Sequence, residues 1–96
     1  MITAFIFIEA ERGQVTQLAQ ALADLPGVSE VYSVSGRLDL VAIARVLEAD
    51  DLAQLVTEKL ATLPGIVRTE TLLAFRAYSR HDLDSLFEVG LRDSPL

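Results

Sequence analysis

Two spacings of apolar residues alternate along the chain, and each predicts a different element. Residues 4–9, AFIFIE, place Phe5 and Phe7 on one parity and Ala4, Ile6 and Ile8 on the other, so a strand with two faces in need of cover is expected. Over residues 14–25 the spacing lengthens: Val15, Leu18, Leu22 and Leu25 fall three or four apart, with Ala19 and Ala21 on the flanks. That is a helix, and Pro26 with Gly27 stops it. Residues 28–35 return to strand spacing, with Tyr32 and Val34 opposite Val31, and Gly36 with Arg37 marks a tight connection. In residues 38–46, Leu40, Ala42, Ala44 and Val46 oppose Val41 and Ile43, so the two segments predict an antiparallel hairpin. A second helix should follow, capped by Asp50 or Asp51 and carrying Leu52, Leu55, Val56, Leu60 and Leu63 before Pro64 and Gly65 end it. Residues 66–75 supply a fourth strand.

The two halves echo each other at an offset of 38 residues, LADLPGV answering LATLPGI. Two copies of strand, helix, strand in series give βαββαβ, whose physical solution is a four-stranded antiparallel sheet with two helices on one face. Its other face carries apolar residues too, in the first, third and fourth strands, which predicts burial against the sheet of a second subunit. The plainer alternative is that alanines and edge positions inflate that apolar count. Thr69 and Thr71 share one parity of the last strand, expected at or near the sheet centre, where buried hydroxyls need partners. The domain is expected over residues 1–76, with residues 77–96 as an extension. Within it Ser79 and Asp82 have capping-box spacing, Leu83, Leu86 and Phe87 form one face of a short C-terminal helix, and Gly90 ends it.

Composition sharpens the expectation of assembly. Apolar residues make up 51% of 96 residues, nearly all aliphatic and without Trp, which is more than one small core encloses easily. The formal net charge of -6 gives no long-range attraction to phosphate backbones or anionic lipid, so direct nucleic-acid binding is disfavoured. The absence of Cys excludes a disulfide framework and thiolate chemistry and is compatible with a reducing cytosol. The opening MITAFIFIEAERG is too short in its apolar run for a signal peptide or membrane span, so a cytoplasmic protein is expected.

Candidate chemistry is sparse. His81 is the sole His, so one chain cannot hold a multi-His metal site; it reads as an exposed residue of the tail, or else as a ligand or base shared across subunits. Asp50 and Asp51 suit a helix N-terminus better than acid–base catalysis, and Asp82, Asp84 and Glu88 read as a solvated face or a hard-cation site. Ser33, Ser35, Ser79 and Ser85 have no adjacent base, and no glycine belongs to a phosphate-binding loop. No catalytic residue, metal or cofactor is therefore expected. Binding asks for less: Gly36 admits a ligand close to main chain, Asp39 can accept from an ammonium, and Arg37 or backbone N–H groups can answer a carboxylate. The competing reading of Ser35, Gly36, Arg37 and Asp39 is an ordinary polar hairpin corner.

Three segments, AFIFIEAERG, LADLPGVSEVYSVSGRLDLVAIARV and DLAQLVTEKLATLPGIVRTETLLAF, resemble the effector-binding (RAM) domain of the Lrp/AsnC transcription regulators over about residues 2–76. The resemblance implies a ferredoxin-like α+β domain of the dimeric α/β barrel type, pairing through its sheets and assembling further, from tetramer to octamer. It also implies an amino-acid effector held between dimers near the loop joining strands 2 and 3. Carried onto this chain, the G-x-x-D element is Gly36, Arg37, Leu38 and Asp39, preceded by Tyr32, Ser33, Val34 and Ser35, and the RTET segment adds Arg68, Thr69, Glu70 and Thr71. Full-length regulators of the family place a helix-turn-helix domain before the first strand, whereas this strand starts almost at Met1. The expected protein is thus a stand-alone effector module that co-assembles with DNA-binding relatives. Two alternatives come from other classes: a purely structural assembly protein, and a small dimeric enzyme of the monooxygenase or isomerase type.

Overall fold

The structure, a computed structural model, describes residues 1–80. The tail helix expected beyond Ser79, with His81, Asp82, Asp84 and Glu88, lies outside the described residues. Strand β1 (Ile2–Ala10) is the centre of the architecture, because it pairs antiparallel with both β3 (Leu40–Val46) and β4 (Ile66–Leu73). Strand β2 (Val28–Ser33) pairs with the far edge of β3, so the sheet order is β2-β3-β1-β4. Each strand–helix–strand half leaves a gap one strand wide, and the halves interlock: β3 fills the gap between β1 and β2, and β1 fills the gap between β3 and β4. This puts β4 at an edge, correcting the expectation of a central last strand. Thr71 and Thr69 pair with Ile6 and Ile8, and both are half-buried rather than enclosed.

The inner face of the sheet is the dry one. Ala4, Ile6, Ile8, Leu40, Ala42 and Ala44 form one buried cluster with Leu18 and Leu22 of α1 (Val15–Ala23) and with Leu55 and Leu60 of the second helical segment. That segment starts as α2 (Ala49–Gln54), widens into a π turn (Leu55–Lys59) and tightens into a 3-10 turn (Leu60–Thr62). Its start is fixed by a capping box in which Glu48 takes the cap position and Asp51 Oδ2 accepts the Glu48 N–H at 3.2 Å. The cap is therefore Glu48 rather than either Asp, while Asp51 is its reciprocal partner. The π turn has a simple cause: the two buried leucines of this segment stand five residues apart, whereas Leu18 and Leu22 stand four apart. Five residues of regular α-helix would swing them to different faces, and one wider turn brings them back onto one.

The outer face carries Phe5, Phe7, Val41, Ile43, Leu72 and Tyr32, placed there by their cross-strand pairing. No helix of the described chain covers these side chains; Tyr32 is 48% exposed and Leu72 47%. No helix among the described residues is long and apolar enough to cross a membrane.

Candidate effector-binding groove

The connection from β2 to β3 is longer than a tight turn. Its six residues, 34–39, are closed by the Val34 N–H donating to the Asp39 carbonyl at 3.0 Å. Gly36 sits in it at φ +115°, a conformation that L side chains rarely adopt, with open space where a Cβ would point. The loop then folds back on β1. The Asp39 N–H donates to the Ile8 carbonyl at 3.0 Å, and Asp39 Oδ2 accepts the Ala10 N–H at 2.8 Å. Asp39 thus extends the β3–β1 pairing beyond the end of β3 and satisfies a backbone donor that the bulge between Glu9 and Ala10 takes out of the ladder.

Folding back in this way carries Arg37 and Leu38 over Phe7. A hollow of about 280 Å³ opens there, walled by Arg37 and Leu38 on one side and by Arg68, Thr69 and Glu70 of β4 on the other. A second hollow, also about 280 Å³, continues from it between Val34, Ser35 and Val41 and shares Phe7, Arg37 and Leu38 with the first. Together they make one groove with a charged end and an apolar end. Arg68 Nη2 lies 3.2 Å from Glu9 Oε1, a solvent-exposed pair of small energetic weight. The side chains of Arg37 and Glu70 have no hydrogen bond or ion pair with any described residue.

The two segments singled out in the sequence are therefore brought together, though not all of their residues are. Arg37 and Leu38 meet Arg68, Thr69 and Glu70 across Phe7, and Val34 and Ser35 line the adjoining hollow. Gly36 shapes the loop from its tip, Asp39 is engaged with Ala10, and Thr71 faces the helices beside Ile6. Ser33 pairs with Leu40 at the end of β2. Tyr32 is held elsewhere on the outer face: its hydroxyl donates to Glu30 Oε2, while Arg45 Nη1 lies 3.3 Å from Glu30 Oε1 and 2.7 Å from Ser29 Oγ. The Tyr32 bond first, and Arg45 second, hold the Glu30 carboxyl below its usual range, and accepting that bond makes Glu30 raise the Tyr32 phenol above its own. Phe7 and Val41, which floor the groove, were not among the candidates. Strand alternation had assigned both to the outer face, a signal consistent with their position.

A third hollow, about 270 Å³, lies at the opposite end of the sheet between Gly27, Val46 and Leu47 and the helical residues Asp51, Gln54 and Lys59. Among the described residues no three His, Cys, Asp or Glu side chains gather to hold a metal ion.

Residues 3–84 match the family model described as the Lrp/AsnC ligand binding domain. The chain belongs to this family. The structure of TTHA0845 from Thermus thermophilus is similar over 83% of this chain and 100% of its own, with 51% identity and a TM-score of 0.78. That of FFRP-DM1 covers 77% of this chain and 99% of its own, at 35% identity and a TM-score of 0.73. The uncharacterised HTH-type transcriptional regulator PF0250 of Pyrococcus furiosus is 34% identical over 76 residues, 76% of this chain and 51% of the relative. The chain thus spans about half the length of the HTH-type regulators it matches. As an Lrp/AsnC domain it is a ligand-binding module of ferredoxin-like fold, and its βαββαβ order is the one that the residue pattern predicted.

Proposed function

We propose that this Lrp/AsnC domain binds a free amino acid in the groove over Phe7 and pairs with a second copy of itself through its outer sheet face. The observation that carries the reading is the meeting of loop residues Arg37 and Leu38 with Arg68, Thr69 and Glu70 around one hollow. A ligand-binding family and a groove with one charged and one apolar end fit a small amphiphilic zwitterion. Phe7 and Val41 belong both to the groove and to the outer face, so a partner sheet laid across Phe5, Ile43 and Leu72 borders the bound ligand. Binding and assembly are then coupled: a ligand that contacts the margin of an interface shifts its equilibrium by its differential affinity for the two states. Co-assembly with DNA-binding relatives is the route by which such a shift reaches a promoter, and the HTH-type names of the curated relatives support it.

Calorimetric titration of the purified chain against each common amino acid tests this. Saturable binding of at least one is the expected result, and indifference to all of them overturns the sensor reading.

A purely structural assembly module is the second reading. The observation favouring it is the apolar surface left open, with Leu72 47%, Phe75 92% and Tyr78 85% exposed. A stable oligomer whose mass and unfolding temperature ignore every amino acid is its signature.

A further inference from the structure

We propose that the segment after β4 is an arm that reaches a second copy of this chain and seats Tyr78 in the hollow beside Leu47. The inference rests on the sheet pairing proposed above and needs no amino-acid ligand.

The arm begins where the sheet runs out. The Ala74 N–H still donates to the Thr3 carbonyl at 2.9 Å, but beyond that point β1 has only Ile2 and Met1 left to offer. Residues 75–80 carry no helix or strand, and both Phe75 and Tyr78 are almost fully exposed. A segment of this length spans up to ~20 Å, and its two rings supply the apolar area of an anchor.

The hollow of about 270 Å³ opens at the same end of the sheet. The registers set Leu73 of β4 opposite Ala4 and Val46 of β3 opposite Ile2, so both strands finish against the first residues of β1. Pro26, Val46 and Leu47 form the apolar wall, and Leu47 is largely exposed. Asp51, Gln54 and Lys59 form a polar rim. A cavity of about 150 Å³ accepts benzene, so the ring of a tyrosine fits here. The rim favours Tyr78 over Phe75, because a buried phenol needs a partner for its hydroxyl. Charge agrees with this docking: residues 74–80 hold Arg76 and Arg80 and no acid, whereas Glu48, Asp50 and Asp51 cluster where the second helical segment starts.

The occupant is a second copy because within one chain Tyr78 stays exposed and the hollow stays open. An arm given by one surface and received by another is a heterologous contact, and it uses the helix side of β3 rather than the outer sheet face. It therefore joins sheet-paired dimers to further dimers. One ring and its rim make a small contact, and the two arms of a dimer act together, so the arms hold only chains already paired through their sheets.

The chain has no Cys, which makes engineered cysteines a clean reporter. Chains carrying Ala77→Cys and chains carrying Gln54→Cys are mixed and gently oxidised, and a disulfide joining one chain of each kind is the expected result. Ala77→Cys mixed with Glu11→Cys, at the opposite end of the sheet, should give no such link. In sedimentation of the full chain, Tyr78→Ala and Leu47→Asp, both at exposed positions, should each raise the concentration needed for assembly beyond the dimer by about tenfold or more. A dimeric parent that forms no link between the two cysteines overturns the arm contact and leaves sheet pairing standing; a monomeric parent overturns both. A disulfide that closes within a chain carrying both substitutions at high dilution, with none between chains in the mixture, shows the arm folding onto its own hollow and also overturns the proposal.

Discussion

At the scale of single residues, the decisive contact is the Asp39 carboxylate on the Ala10 N–H, which joins positions 29 apart in sequence. Asp39→Ala leaves that part-buried donor without its acceptor, and a loss of about 1–3 kcal/mol in unfolding free energy is expected from denaturant titration. Asp39→Asn keeps an acceptor oxygen in the same place and should lose no more than about half of that. Equal losses for the two variants would show that the charge rather than the hydrogen bond matters. The sequence made Gly36 and Asp39 visible as a turn with an acid beside it. It could not assign the acid to Ala10, because the donor is released by a bulge that depends on how β1 meets β4. Arg37 and Glu70 were legible as candidates one at a time, but their opposition across Phe7 arises only when the loop folds back over β1.

At the scale of elements, the duplicated halves were legible down to their prolines and glycines, since helical spacing followed by PG is a local signal. The π turn was not legible, for a definite reason. Leu55 was among the apolar positions of the predicted helix, but Val56, Leu60 and Leu63 alone satisfy the three-or-four spacing of a regular helix, so the pattern gave no hint of a wider turn between Leu55 and Leu60. The extra residue has a measurable consequence. Deleting exposed Glu58 brings Leu55 and Leu60 to the spacing of Leu18 and Leu22, and lets the turn revert to α-helix with the downstream chain in place. Stability should change by no more than about 1 kcal/mol. Deleting exposed Gln20 from α1, which has no surplus residue to absorb, should displace Leu22 and cost about 3 kcal/mol or more. Thermal unfolding of the two deletions distinguishes them, and equal damage would mean that the π turn is held by something other than leucine register.

At the scale of the whole molecule, the alternation of β1 and β3 predicted both an inner and an outer apolar face, and the cross-strand registers place Phe5, Ile43 and Leu72 side by side on the outer one. Leu72→Arg puts a charge beside Phe5, on the edge strand of that face, at a half-exposed site. The parent chain should sediment as a dimer or larger and the variant as a monomer with unchanged secondary structure; a parent that is already monomeric would overturn sheet pairing. What the pattern could not reveal was the position of β4, because strand order depends on how the two halves interlock. That interlocking also bears on how the chain is made. β1 leaves the ribosome before either of its neighbours, and both its edges stay open until β3 and finally β4 emerge. A nascent chain halted before Ile66 still presents one raw edge and the apolar outer face of its middle strand, which favours association with other chains. The sheet is thus completed only by its last strand, and that strand also brings Arg68, Thr69 and Glu70 to the groove.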